Sequence, residues 1–331
     1  MATEPLADDA AESPGWRYYL QEKVLVLFFL GFSAGLPFPL VYSTLSAWLE
    51  EAGLERSTIS TFAWLGFAYS FKFVWAPLVD SLRLPVLTGL LGRRRSWMLL
   101  AQLSIGASLL VMSGIDPAEN VRAFVLIALA VAFSSATQDI VIDAYRIECA
   151  EVRMQGVLAA AYQYGYRVAM LLSMAGALAL AEFAPWSVTY MAMAGCMVIG
   201  IATTLWCREP EVTIEKTLYA GLSAADKAAK WFTHTIADPF GDFFRRFGRH
   251  AIVLLAFISL YRLSDYVLGI LANPFYLDIG FSKLQVAGIA KVYGLWITLF
   301  GVGAGGWAVV RFGVARCLVI ATILIASTNL F

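Results

Sequence analysis

Nine stretches of this chain are apolar for long enough to cross a lipid bilayer as helices, and that pattern leaves few folds open. A hydrocarbon core of about 30 Å takes roughly 20 mainly apolar residues in a helix. The stretches are residues 24–49, 57–82, 96–114, 121–145, 155–184, 186–207, 250–272, 282–310 and 314–331. They explain why 60% of the 331 residues are hydrophobic and only 15% charged, where soluble domains carry about 25% charged residues. Most side chains of a compact soluble domain stay at least partly wet, so a water-soluble fold is excluded. The fold class that remains is an all-α integral membrane protein.

The rest of the composition removes further classes. Lys+Arg and Asp+Glu balance at 24 each, so no net basic charge points to nucleic acid. Cys149, Cys196, Cys207 and Cys317 form no CxxC pair and read as free thiols. His234 and His250 have no ligand-spaced partner, so neither a metal site nor a cofactor is expected. Residues 1–23 are polar and lack the short apolar core of a signal peptide, so the first span is retained.

Charge placement sets the orientation. With the N-terminus in the cytoplasm, 17 of the 24 basic residues fall on the cytoplasmic side, and only Arg56, Arg122 and Lys283 fall on the far side. Lys72, Arg167, Arg262 and Lys291 fall inside spans. Ionisable groups there cost roughly 2.5–3.5 kcal/mol each at a helix centre, so each asks for a reason.

Gln138-Asp139-Ile-Val-Ile-Asp143 sets two carboxyls one helical turn apart in the fourth span. Two like charges so close push at least one carboxyl towards neutrality, which is what proton coupling requires. Asp139 lies deeper and is the first proton-coupling candidate; Asp143 reads more simply as an anchor at the helix end with Arg146. In the fifth span, Tyr162-Gln163-Tyr164-Gly-Tyr166-Arg167 offers hydrogen-bonding groups beside a guanidinium whose planar fork suits a carboxylate or phosphate. Asp139 is the expected counter-ion of Arg167. Arg262 with Asp265 in the seventh span, Lys291 in the eighth and Lys72 in the second complete the set. Asp265 joins the proton-coupling candidates, and Gln138, Tyr162, Gln163, Tyr166, Arg167, Arg262, Lys291 and Lys72 are the substrate-binding candidates. An intramembrane enzyme is the rival reading, but GxGD, DDxxD and HExxH are absent, and the GxSxG letters at Gly31–Gly35 sit inside a span. No enzyme is expected.

The organisation is a cytoplasmic segment 1–23, six spans over 24–207, a cytoplasmic loop 208–249, and three spans over 250–331. Basic and aromatic residues alternate in the later part of the loop, from Lys230 to Arg249, as in an interfacial amphipathic segment that touches lipid. A membrane scaffold with that loop as its working part is a second reading. Six spans, a loop and more spans resemble the major facilitator superfamily, whose halves have six helices each. The second half is incomplete, so the sequence reads as a C-terminally shortened piece of a longer transporter. Between spans two and three, Asp80 followed by Gly92-Arg93-Arg94-Arg95 resembles the superfamily's gating loop, in which an acid and arginines latch neighbouring helices. Gly305 through Arg316 repeats it loosely, without the acid.

Trp75-Ala-Pro-Leu-Val-Asp80, Gly92-Arg-Arg-Arg95-Ser-Trp97, Gln138-Asp-Ile-Val-Ile-Asp143-Ala-Tyr145, Tyr164-Gly-Tyr166-Arg167 and Tyr261-Arg262-Leu-Ser-Asp265 together resemble the AmpG-like muropeptide permeases. These belong to the peptide–acetyl-CoA transporter group of the superfamily, and the resemblance runs from about Val24 to the last residue. It implies a proton-driven importer in the inner membrane of a Gram-negative bacterium. The implied cargo is an anionic glycopeptide, GlcNAc–anhydro-MurNAc and its peptides, returned for cell-wall recycling and feeding β-lactamase induction. A monomer is expected. The acetyl-CoA carriers share two of the motifs, which keeps another anionic solute as the alternative.

Overall fold

The computed structural model describes residues 21–210, 233, 238–248, 250–254, 256 and 294–328, and all regular structure among them is helical. The first span begins as α1 (Glu22–Gly35) and breaks at the two prolines into α2 (Pro37–Leu40) and α3 (Ser43–Glu51). Proline has no N–H to donate and its ring clashes with the preceding turn, so the ladder stops there. Tyr190 donates to the Leu40 carbonyl at 2.8 Å, supplying a partner at the break.

The stretch expected as one helix over 57–82 is instead a chain of short turns. It runs through α4 (Arg56–Thr61), a 3₁₀ turn (Phe62–Leu65), α5 (Gly66–Ser70), a second 3₁₀ turn (Lys72–Val74) and α6 (Ala76–Ser81). The reason is local. Seven aromatic residues crowd the fourteen positions from Phe62 to Trp75, and aromatic side chains lose χ1 freedom in a helix. Ser and Thr hydroxyls compete for backbone carbonyls: Thr61 Oγ1 donates to Thr58 O at 2.6 Å.

The later helices are more regular. After α7 (Leu87–Leu91), Gly92 at φ +88° starts α8 (Arg93–Ser113), a backbone conformation that favours glycine. Asn120 caps α9 (Val121–Glu148) by accepting from the Ala123 N–H at 3.2 Å. The fifth span is α10 (Gln155–Leu171), a π turn (Leu172–Gly176) and α11 (Ala177–Ala181); the sixth is α12 (Trp186–Trp206). Five helical segments among the described residues are long and apolar enough to cross a membrane: Glu22–Glu51, Arg93–Ser113, Val121–Glu148, Gln155–Ala181 and Trp186–Trp206. Beyond them lie α13 (Asp238–Phe247), α14 (Gly294–Phe312) and α15 (Val314–Thr328). Most of the expected span 250–272 and the first part of 282–310 lie outside the described residues, and so do Arg262, Asp265 and Lys291.

Contacts sort the chain into two compact units, residues 1–79, 83–211 and 301–331 in one, 80–82 and 212–300 in the other. The first is held by a glycine clasp between α1 and α10. A Cβ on Gly31 or Gly35 would land on the carbonyl oxygen of Tyr162 or Tyr166, and a Cβ on Gly165 would land on that of Phe28. Gly31 and Gly35, four residues apart and so on one face of the first span, let two backbones touch. Two apolar clusters fill the unit. One gathers around Trp48, Phe124, Trp186 and Tyr190, the other around Leu27, Leu30, Met98, Val141 and Leu158. Large apolar side chains such as Leu103, Leu126, Phe133 and Val198 point outward, as lipid-facing positions require. In the second unit, α13 exposes Arg245 and Arg246 with Phe244 and Phe247, and Arg245 lies 3.8 Å from Asp242.

Candidate functional site

Asp139 is nine residues from the end of α9, about 13–14 Å along the axis at 1.5 Å per residue, and so sits deep in its span. Its partner is Lys72, with Nζ 3.7 Å from Oδ2. The sequence pointed to Arg167. Lys72 opens the second 3₁₀ turn of the broken second span. The Lys72 side chain is 36% exposed and that of Asp139 only 14%, so the lysine is the accessible half of the pair. Asp143, half exposed, pairs with Arg146 at 3.6 Å along its own helix, the simpler of the two roles considered for it.

Tyr162 and Tyr166 line α10 with ring centroids 6.0 Å apart, and Asp139 is an electrostatic neighbour of both. Arg167 follows on the same helix. Its Nε is buried and has no hydrogen-bond partner among the described residues. Lys72, Asp139, Tyr162 and Tyr166 are therefore brought into one neighbourhood. Gln138, fully buried beside Asp139, donates to Ser33 Oγ at 2.9 Å and ties α9 to α1, while its Oε1 has no hydrogen-bond partner among the described residues. Gln163 is half-buried on α10. Among the described residues no group of acids, histidines and cysteines could hold a metal ion.

A second polar layer forms where Arg93, Arg94 and Arg95 open α8. Arg94 is buried and forks onto Glu148, with Nε 2.9 Å from Oε2 and a terminal nitrogen 2.5 Å from Oε1. Arg93 reaches the same carboxylate at 3.4 Å. Glu209 accepts from the backbone N–H groups of Arg94 and Arg95 at 2.8 and 3.0 Å, setting a negative charge on the N-terminus of α8. Arg95 closes the circuit by donating to the Thr204 and Leu205 carbonyls at 2.9 and 2.7 Å, at the C-terminus of α12. Lys23 donates to the Cys149 carbonyl at 2.6 Å, beyond the end of α9. Burial pushes the Cys149 thiol up from its ordinary pKa. Asp80, half-buried, lies in α6.

Sequence reasoning found the arginines and missed Glu148 and Glu209. Both follow directly on an apolar span, at Arg146-Ile-Glu148 and Cys207-Arg208-Glu209. Acids at span ends facing a basic run were the available signal.

Comparison with known proteins agrees with this architecture. The family model described as acetyl-coenzyme A transporter 1 matches residues 23–191, just over half of the chain. The chain is 34% identical over 309 residues to the putative transporter AmpG 4 of Rickettsia conorii, covering 93% of this chain and 72% of that one. It is 33% identical over 315 residues to the anhydromuropeptide permease of Escherichia coli, covering 95% of this chain and 60% of the relative. A Haemophilus influenzae protein with no assigned function is 35% identical over 298 residues, 89% of this chain and 67% of the other. With apolar helices long enough to span a bilayer and relatives of this kind over nearly its whole length, the chain is a multi-pass membrane protein that belongs to the AmpG family of transporters.

Proposed function

We propose that this protein is a proton-coupled importer of cell-wall muropeptides across the bacterial inner membrane, with its N-terminus in the cytoplasm. The observation that carries the reading is the Lys72–Asp139 pair deep in the membrane, in a chain 33% identical to an anhydromuropeptide permease. An ion pair inside the bilayer is stable only while both partners keep their charges. Protonating Asp139 frees Lys72, which is accessible enough to take an anionic group of the substrate together with Arg167. Substrate and proton then share one site, and neither crosses productively without the other.

The six-span bundle rocks against the spans that follow the loop, exposing the site to one side at a time. The Arg93–Arg94–Arg95 layer, with Glu148 and Glu209, holds span ends together when that side is closed. The 17-to-3 split of basic residues supports its lying on the cytoplasmic side. The protein works as a monomer, contacts only lipid, substrate and protons, and catalyses no covalent step.

The match to the acetyl-coenzyme A transporter model favours a second cargo of the same charge. Uptake of labelled GlcNAc–anhydro-MurNAc tripeptide into cells lacking their own permease tests the reading. Accumulation that unlabelled anhydro-muropeptide abolishes and acetyl-CoA leaves untouched is expected. Competition by acetyl-CoA alone would transfer the function to the second cargo.

A further inference from the structure

Lys72 reaches Asp139 from a chain of short turns, so no long helix holds the lysine in place. What holds it is the residue that closes its turn. Trp75 donates its backbone N–H to the Lys72 carbonyl at the end of the 3₁₀ turn Lys72–Val74. The Trp75 carbonyl in turn accepts from the Val79 N–H at 3.1 Å, within α6. Lys72 and Trp75 therefore move together.

The Trp75 side chain is docked on α9. Its ring lies against Phe133 with centroids 4.6 Å apart, and its Nε1 donates to Thr137 Oγ1 at 3.1 Å. Thr137 donates its own hydroxyl proton to the Phe133 carbonyl at 2.8 Å, which leaves the Oγ1 lone pairs to the indole. An indole N–H only donates, so the two groups are matched. Phe133 and Thr137 are one turn apart on α9, and Asp139 lies two residues further on. The contacts close a circuit: Asp139 to Lys72, through the turn to Trp75, across to Thr137, and back along α9 to Asp139.

The two cross-links of this circuit differ in kind. Lys72–Asp139 is ionic and lapses when the carboxylate takes up a proton, whereas Trp75–Thr137 is neutral and does not depend on that proton. Among the described residues, the electrostatic neighbours of Asp139 are Lys72, Asp143, Tyr69, Tyr162 and Tyr166, and of these Lys72 alone is a cation. Resting on the proton-coupled reading above, we infer that Trp75 and Thr137 are positioning residues for coupling. They keep Lys72 beside Asp139 while the pair is open, so that loss of the proton re-forms it. A tethered partner is present at high effective concentration; an undocked turn would forfeit that advantage.

The test sets gradient-driven accumulation of labelled anhydro-muropeptide against exchange down its own gradient, in proteoliposomes carrying equal amounts of each protein. Trp75→Phe keeps a ring against Phe133 and loses the donor; Thr137→Val keeps the shape and loses the acceptor. Each should lower accumulation about 3- to 10-fold more than exchange, the worth of one hydrogen bond. The double variant should lose no more than either single one, because both remove the same bond. Thr137→Ser should recover native accumulation. Accumulation and exchange that fall in parallel would make Trp75 merely structural and overturn the inference. So would native accumulation in both single variants, or additive losses in the double one. Asp139→Asn, measured alongside, tells this inference from the reading it rests on. If Asp139→Asn accumulates substrate like the native protein, the proton-coupled reading fails and the inference with it. If it loses accumulation while Trp75→Phe and Thr137→Val keep theirs, the inference alone fails. No uptake by the native protein would remove the muropeptide reading and this inference together.

Discussion

Replacing Glu148 by Ala should destabilise the protein more than any other single change in the polar layer that opens α8. Arg94 keeps only 6% of its side chain exposed and Glu148 keeps 19%. Two short contacts of 2.9 and 2.5 Å join them as a fork, and Arg93 leans on the same carboxylate at 3.4 Å. Removing one partner of a buried pair costs about 3–5 kcal/mol, because the other charge stays buried without it. Here a cleft of about 310 Å³, lined by Glu22, Lys23, Tyr145, Glu148 and Arg208 among others, lets water reach the site. That lowers the expected cost to about 2–3 kcal/mol, roughly 30- to 150-fold in the folding equilibrium. Arg94→Met with Glu148→Leu removes both charges and keeps the volume, and should return to within about 1 kcal/mol of the native protein. Reversible SDS titration of the purified protein in mixed micelles measures both variants. Glu148→Ala within about 0.5 kcal/mol of the native protein would refute the reasoning, since that is the scale of an ordinary surface change. So would a double variant as unstable as the single one.

Three further outcomes follow from the same geometry. Glu209→Gln keeps an acceptor over the α8 N-terminus but loses the charge, and should cost about 0.5–1 kcal/mol in the same titration; no change would remove Glu209 from the layer. Gly165→Ala drives a methyl into the Phe28 backbone and should cost at least about 1–3 kcal/mol, whereas Gly195→Ala on α12 meets nothing within 4 Å and should be neutral or slightly stabilising. Equal melting temperatures for the two would contradict the clasp. The half-buried Cys149 thiol has its pKa raised, so its thiolate fraction at pH 7.5 is small and N-ethylmaleimide should label it slowly, with a rate still climbing above about pH 10. A rate that levels off by about pH 10 would mean an ordinary thiol.

Much of this was legible in the sequence because hydropathy and glycine spacing act locally. Four of the nine spans emerge as long apolar helices within a few residues of their expected limits, and the first emerges with its break at Pro37 and Pro39. Gly31 and Gly35 announced a close helix contact, though nothing in their spacing named α10 as the partner. The second span misled because hydropathy measures transfer into lipid and not the freedom of an aromatic side chain in a helix; Phe62 to Trp75 satisfy the first and resist the second. The pairing of Asp139 with Arg167 followed from the depth of both groups in their spans, and depth does not say which cation faces the acid; in the fold Lys72 lies 3.7 Å from it. Glu148 and Glu209 stayed hidden for another reason: an acid at a span end is ordinary until the fold places an arginine fork or an unpaired helix terminus against it.

Coupling in this protein turns on whether the acid paired with Lys72 carries the proton. The direct measurement is uptake of labelled anhydro-muropeptide into vesicles with and without an imposed proton gradient, for the native protein and for Asp139→Asn. The native protein should accumulate substrate only when the gradient drives it. Asp139→Asn should reach the membrane in equal amount and exchange substrate down its own gradient, but lose accumulation by tenfold or more, about 1.4 kcal/mol of driving force. Undiminished, gradient-dependent accumulation by Asp139→Asn would contradict the mechanism.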